Sequence, residues 1–186
     1  MEGDTARSIL LDALRRRSLR TGDFVLASGQ RSDYYIDART TTMSGEGQAA
    51  IGVAALELLD ERGVEPGLVG GLTMGADPVA FSIAHAATLA GRHIDAFSVR
   101  KKAKEHGTGR RVEGAFDTSR DIVVVEDVIT SGGSALDAVS AIRDAGGNVI
   151  GVFALVDREQ GGRQLIEETG LPVFALFTAS ELLGRT

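Results

Sequence analysis

The sequence predicts an α/β fold, a doubly wound and mostly parallel sheet flanked by helices, and three observations carry the prediction. Short aliphatic and β-branched runs at 68–72, 95–99, 121–125, 149–156 and 173–177 alternate with stretches of helical apolar spacing, a rhythm that implies parallel strands joined by right-handed crossovers. Glycine is abundant, 24 of 186 residues, while proline occurs only three times, which suits many tight strand-to-helix turns better than flexible linkers. Hydrophobic residues make up 43% and charged residues 25%, enough for one core at this length, so a single domain spanning 1–186 is expected.

From the N-terminus, Thr5 to Leu19 has helical spacing, with Ile9, Leu10, Leu11 and Leu14 on one face, arginines on the far side, and Asp4 or Thr5 placed to cap the start. Phe24 to Asp37 alternates like two short strands around Ser28-Gly29-Gln30, a hairpin outside the main sheet. Gly47 to Glu61 is helical and stops at Gly63. Leu68 to Leu72 reads as a buried strand, Asp77 to Ala90 as a helix with Pro78 in its first turn, and Asp95 to Val99 as the next strand. Arg100 to Gly114 is too charged for a core. Asp121 to Val125 is a β-branched strand, Ser131 to Ala145 a helix ended by Gly146-Gly147, and Val149 to Val156 a further strand. Arg163 to Thr169 supplies a last crossover helix before a strand from Val173 to Phe177. No repeat and no low-complexity segment interrupts the order. Ligands of such sheets bind beyond the carboxyl ends of the strands, so the loops leaving Leu72, Val99, Val125 and Val156 are the expected site.

A net charge of −6 argues against broad nucleic-acid binding, although Arg15–Arg17 and the span from Arg100 to Arg111 are locally basic. Cysteine is absent, which removes disulfides, thiolate catalysis and cysteine zinc sites. No run approaches the ~20 apolar residues of a membrane span, and the first residues lack a secretory pattern. The expectation is a soluble, cytoplasmic protein with small-molecule partners and no membrane or nucleic acid.

The chemistry concentrates at Val123-Val124-Val125-Glu126-Asp127-Val128-Ile129-Thr130-Ser131-Gly132-Gly133-Ser134-Ala135. Small residues at a helix start let successive main-chain N–H groups approach an anion, so Thr130 to Ser134 is a phosphate cradle. Glu126 and Asp127 would repel phosphate but accept hydrogen bonds from vicinal hydroxyls, placing a ribose beside it. A plain turn with solvent-facing acids and a capping serine explains each part alone, not the whole pattern. The other common phosphate loops, G-x-x-x-x-G-K-[ST] and G-x-G-x-x-G after a strand, are missing.

This segment resembles the diphosphate-binding signature of the type I phosphoribosyltransferases: a hydrophobic strand, two acids, then a Thr/Ser/Gly loop. Phe24-Val25-Leu26-Ala27-Ser28-Gly29, Ser32-Asp33-Tyr34-Tyr35-Ile36-Asp37 and Arg100-Lys101-Lys102-Ala103-Lys104-Glu105-His106-Gly107 narrow it, in register, to the orotate phosphoribosyltransferases, a resemblance reaching from Thr21 to Arg158. It implies the type I fold with residues 1–40 forming an N-terminal helix and a hood over the base. It also implies transfer of the phosphoribosyl group of 5-phospho-α-D-ribose 1-diphosphate (PRPP) to orotate, giving orotidine 5′-monophosphate and diphosphate. Carried over by position, PRPP is bound by Glu126, Asp127, Val128, Ile129, Thr130, Ser131, Gly132, Gly133 and Ser134, and its diphosphate by Arg100, Lys101, Lys104 and His106, with Lys102 nearby. Those four basic residues and Asp127 are the implied catalytic set; Tyr35, Ile36, Thr130 and Arg158 are the implied orotate contacts. The basic loop is implied to reach the neighbouring subunit's site, hence a homodimer, and Gly71 to Pro78 matches the family's diphosphate loop. Two departures stand out: many members carry a lysine where this chain has Ala27 and another near Gly75, and Arg31 is a candidate substitute cation.

Physical reasoning supports several of these positions. The stretch from Arg100 to Gly114, with glycines at 107 and 109, is either a solvated basic loop or a lid closing on an anionic leaving group. Loss of diphosphate from an anomeric carbon develops negative charge on the leaving oxygens, which cationic side chains and Mg²⁺ stabilise; Mg²⁺ keeps waters and is expected to be held mainly by substrate. Tyr34 and Tyr35 point to opposite faces of a strand, so one is expected to be buried. Arg158 suits a carboxylate-bearing base, the alternative being a surface ion pair with Asp157 or Glu159. Asp77 reads equally as a helix cap, and His85 and His93 as packing or surface residues. Two other readings stay open: a transferase of this fold acting on a purine or another base, and a PRPP-sensing regulator that binds nucleic acid.

Overall fold

The structure is a computed structural model that describes residues 1–25, 31–102 and 110–185. A helix α1 (Gly3–Ala13) runs into a π-helical turn at Leu14–Ser18 and then directly into strand β1 (Leu19–Val25). The helical stretch expected to Leu19 thus reaches Ser18, its last turn widened to a π-helix, and the chain leaves it where buried Ser18 is tied by its hydroxyl to Thr41 Oγ1 at 2.7 Å and its carbonyl accepts the Asp37 N–H at 3.0 Å. Neither Asp4 nor Thr5 caps α1; the capping position is Glu2, whose side chain makes no cap hydrogen bond. The three arginines of the turn are occupied by their surroundings, Arg15 by the carbonyls of Glu181 and Leu182, Arg16 and Arg17 by Glu46.

Strand β2 (Arg31–Ile36) pairs antiparallel with β1 from Leu19↔Ile36 to Val25↔Arg31, so the hairpin starts well before Phe24; its turn lies outside the described residues. A short helix α2 (Arg39–Thr42) leads to α3 (Gly45–Glu61), capped by Ser44, whose hydroxyl accepts from the Gly47 N–H at 3.1 Å. The alternating order follows: β3 (Leu68–Leu72), α4 (Ala76–Leu89), β4 (Asp95–Val99), β5 (Val112–Gly114), β6 (Asp121–Ile129), α5 (Gly133–Asp144), β7 (Asn148–Asp157), α6 (Gly162–Glu167), β8 (Val173–Thr178) and α7 (Ala179–Leu183).

The main sheet has six strands in the order β5-β4-β3-β6-β7-β8, parallel except for β5 at one edge. This is the predicted α/β architecture, with helices on both faces. Val123 and Val125 belong to an apolar cluster with α1, α3 and α4, while Ile122 and Val124 pack on α5. A strand buried on both sides reads as a continuous β-branched run, and each fully buried Val or Ile contributes roughly 1.5–3 kcal/mol.

Two differences from the expected elements bear on the site. β6 continues past Val125 because β7 is long enough to pair with it, through Val128↔Val156 and Ile129↔Asp157. The carboxylates Glu126 and Asp127 therefore sit on the strand itself, held by its ladder. The end of the basic stretch joins the sheet as β5, with Val99 opposite Val112, so the charged segment between them begins and ends on a paired edge.

Candidate functional site

An open cleft of about 1500 Å³ lies at the carboxyl ends of β3, β6 and β7, where the alternating topology predicts a ligand. Its floor carries Glu126, Asp127, Val128, Thr130, Ser131 and Ser134, and one wall the loop from Leu72 to Asp77. The hairpin and α2 close the other side with Tyr35, Ile36, Asp37 and Arg39, while Lys101, Arg158 and Gln160 reach in from the remaining loops.

Beneath the floor is a recess of about 70 Å³ enclosed by Glu126 and the residues from Val128 to Ala135. That is about twice the ~30 Å³ share of one water, room for a phosphoryl group. Gly132 makes the bend possible: its φ is 80°, and a Cβ there would lie 2.7 Å from the Gly162 carbonyl oxygen. The first N–H groups of a helix lack partners within it, and no side chain caps α5. Those donors, with the positive end of the helix dipole, converge on the recess.

Glu126 is buried, and its Oε2 has no hydrogen-bond partner. Burial first, and the negative charge of Asp127 second, raise its pKa from 4.5 to about 9. Near pH 7 Glu126 is thus held as the neutral acid. Asp127 takes the Val128 N–H on Oδ1 at 2.9 Å, and Gly75 passes so near that a Cβ would lie 2.6 Å from the same oxygen. The loop over β3 contains a cis peptide at Thr73–Met74. In it Asp77 is not a cap: its Oδ2 accepts from the Thr73 hydroxyl at 2.5 Å, and Oδ1 is buried without a partner.

Tyr34 and Tyr35 divide as a strand requires, Tyr34 buried and Tyr35 in the cleft against Phe24 at 5.8 Å between ring centroids. Arg158 lies 4.9 Å over the Tyr34 ring, and its main-chain oxygen accepts from the Tyr34 hydroxyl at 3.4 Å. It makes no ion pair with its neighbours: Asp157 accepts the Glu159 N–H, and Glu159 accepts the Ser180 N–H. The Arg158 Nε and Nη2 are buried with no partner. A buried, unpaired guanidinium edge is costly unless an acceptor arrives, and a planar carboxylate matches it in bidentate fashion.

The base of the basic stretch is partly neutralised. Arg100 pairs with Glu113 at 3.1 Å, and Arg111 holds Asp137 of α5 through two hydrogen bonds of 2.9 and 2.6 Å. Lys101 enters the cleft, whereas Arg100 is not among its lining residues.

Compared with proteins of known identity, the chain is 46% identical over 180 residues to the orotate phosphoribosyltransferase of Aquifex aeolicus, a match covering 95% of this chain and 97% of that protein. The chain belongs to the orotate phosphoribosyltransferase family. No protein-family model matches it. Among solved structures, orotate phosphoribosyltransferase of Mycobacterium tuberculosis H37Rv in complex with Fe(III) dicitrate superposes with a TM-score of 0.84 at 44% identity, covering 95% of this chain and 98% of that one. The same Mycobacterium enzyme in complex with PRPP gives 0.78 at 38% identity, over 96% of this chain and 92% of that one.

Within this phosphoribosyltransferase fold, the structure brings together Tyr35, Ile36, Lys101, Glu126, Asp127, Val128, Thr130, Ser131, Ser134 and Arg158 at one cleft, with Ile129, Gly132 and Gly133 around the recess. Arg100 stays at the sheet edge, and Lys104, His106 and Ala27 lie outside the described residues. Arg31 begins β2 and does not line the cleft. Sequence reasoning passed over Asp37, Arg39 and Gln160 as cleft residues, and left Asp77 open between the diphosphate loop and a helix cap; the structure gives it no capping bond and places it on the cleft. The only signal was position: Asp37 and Arg39 follow Tyr35-Ile36, and Gln160 follows Arg158.

Proposed function

We propose a division of labour for transfer of the 5-phosphoribosyl group from PRPP to orotate, giving orotidine 5′-monophosphate and diphosphate in pyrimidine biosynthesis. The reaction is the one for which the family is named, and a relative at 38% identity binds PRPP. One observation carries the assignment: the recess at the start of α5, the acidic pair of β6 and the unpaired edge of Arg158 all open into one cleft.

The 5-phosphate sits in the recess on the main-chain donors of Thr130 to Ser134, and the ribose hydroxyls donate to Asp127 and Glu126. Orotate lies between Tyr35 with Ile36 and the floor at Thr130, its carboxylate on the Nε/Nη2 edge of Arg158. Lys101, with Lys104 and His106 from the segment outside the described residues, receives the diphosphate. Arg100 joins them if its exposed pair with Glu113 is exchanged for the leaving group, an exchange that costs little because exposed pairs are weak. Bond breaking at the anomeric carbon leaves positive charge on the sugar next to Asp127 and negative charge on the diphosphate next to these cations, so the chain's contribution is positioning and charge stabilisation.

Among the described residues no cluster of three or more His, Asp or Glu forms a metal cage. The donors at hand, carboxylate oxygens beside a diphosphate site, fit Mg²⁺ carried in by substrate and water, with Asp127 and Glu126 as the adjacent acids. If held there beside Asp127 and Glu126, Mg²⁺ would supply neutralising charge for the diphosphate.

The assembly reading is a homodimer with the 100–114 segment shared between subunits. It is supported by an apolar row along α4, where Phe81 and Leu89 are 50% and 76% exposed two turns apart and Met74 stands just before them. The same chain is read as a single-domain cytoplasmic enzyme without nucleic-acid or membrane partners, in line with its acidic charge and lack of cysteine. No helix among the described residues is long and apolar enough to cross a membrane.

The test is spectrophotometric: orotate consumption should require both PRPP and Mg²⁺, and purine bases should neither replace nor inhibit orotate. Turnover of a purine in its place would overturn the base assignment.

A further inference from the structure

A diphosphate donor brings several negative charges into a cleft whose described lining carries no excess of cations over acids. Asp37, Asp77, Glu126 and Asp127 line it against Arg39, Lys101 and Arg158. Arg158 is buried on Tyr34 and directed at the base, and the loop from Gly71 to Pro78 contains no cationic residue. Of the three cations, Arg39 is the one for which the family resemblance supplies no role.

Arg39 opens α2 on the cleft side, two residues after Asp37. Its Nε lies 2.9 Å from Asp37 Oδ1 and its Nη2 3.3 Å from Asp37 Oδ2, so one edge of the guanidinium is fixed by a carboxylate. The same carboxylate accepts the Arg39 main-chain N–H at 3.3 Å, which orients it in turn. Nη1 has no partner among the described residues, leaving the Nη1/Nη2 edge open. Hydrogen bonding to Asp37 raises the pKa of Arg39, and the charge of Asp127 adds to this, which places the guanidinium in the field of the sugar-binding acids.

We propose that Arg39 is a diphosphate-binding residue, with Asp37 as its positioning residue: Asp37 grips the Nε/Nη2 edge and presents the other edge to the leaving group of the donor. A guanidinium fork matches two phosphoryl oxygens, and one held in place loses less freedom on binding than a lysine would. The arrangement supplies a cation on the hairpin side of the cleft, across from the loop that holds Gly75 and Asp77. The pair itself is half-exposed, 47% and 31%, so it adds little to stability, and its guanidinium remains accessible at the cleft rim.

The inference rests on PRPP being the donor, and the experiment separates the two. Steady-state constants and product inhibition by inorganic diphosphate are measured for the wild-type protein, Arg39→Ala and Arg39→Lys, with melting temperatures alongside. Arg39→Ala should raise KM for PRPP and the inhibition constant of diphosphate by ~10- to 100-fold, the loss expected for hydrogen bonds to a charged group. KM for orotate and the melting temperature should stay near wild type, and Arg39→Lys should recover part of the loss. Unchanged constants for PRPP and diphosphate would overturn the proposal, and so would parallel losses for both substrates with a lowered melting temperature. A wild-type protein that fails to use PRPP would instead remove the functional reading beneath it.

Discussion

Replacing Glu126 by glutamine probes the electrostatics at the centre of the cleft. The residue is 7% exposed, one carboxyl oxygen is unpartnered, and its pKa rises from 4.5 to about 9, chiefly through burial and then through Asp127. At pH 7 the folded protein keeps this proton and the unfolded chain releases it. Folding therefore takes up a proton, and stability falls as pH rises; the contribution is whole below pH 4.5 and is lost progressively until about 9. At about 1.4 kcal/mol per pH unit, the interval from 4.5 to pH 7 corresponds to roughly 3 kcal/mol. That is an upper figure, because Asp127 can share the proton. Glutamine copies the shape of the protonated acid and has no charge to desolvate. Wild type and Glu126→Gln should melt together near pH 4.5, and the variant should melt higher at pH 7 by at most roughly 10 °C for a chain of this size, with the gap widening toward pH 9. Scanning calorimetry of ligand-free protein across pH measures this. Parallel curves would refute the reasoning, since they would mean that Glu126 is already ionised and compensated in the folded protein.

Three further outcomes are expected from the site. Arg158→Gln should raise KM for orotate by roughly 10- to 100-fold with little change for PRPP, because it removes a charged donor edge; equal effects on both substrates would contradict the assignment. Asp127→Ala should weaken PRPP binding, as read by calorimetric titration, and unchanged affinity would exclude a role in holding the ribose. Lys104→Ala should lower kcat far more than melting temperature, because a run this rich in cationic residues is unsuited by sequence to a core; normal turnover with a large loss of stability would reverse that reading.

Much of the site was legible because its signals are local. A β-branched run, two acids and a Thr/Ser/Gly loop at a helix start need only near neighbours to fold into a recess at the strand end, and Val123 to Ala135 does so. The strand and helix rhythm likewise placed β3, β4, β7 and β8 within a residue or so, since burial on both faces leaves a continuous apolar run. Elements decided by distant partners were not legible. β5 exists because Val112 finds Val99, β6 continues because β7 runs beside it, and the N-terminal helical stretch gives way to β1 where Ser18 meets Thr41.

By itself, then, the order of residues determined the α/β class, the cleft end of the sheet and the glycine-rich turn that forms the recess, all of which follow from periodicity and backbone preference. Only the tertiary structure decided the electrical state of the cleft. Whether Glu126 holds a proton, whether Arg158 is paired, and whether Arg39 faces the acids of β6 depend on burial and on groups far apart in the chain, and charge interactions are set by distance and solvent access in space.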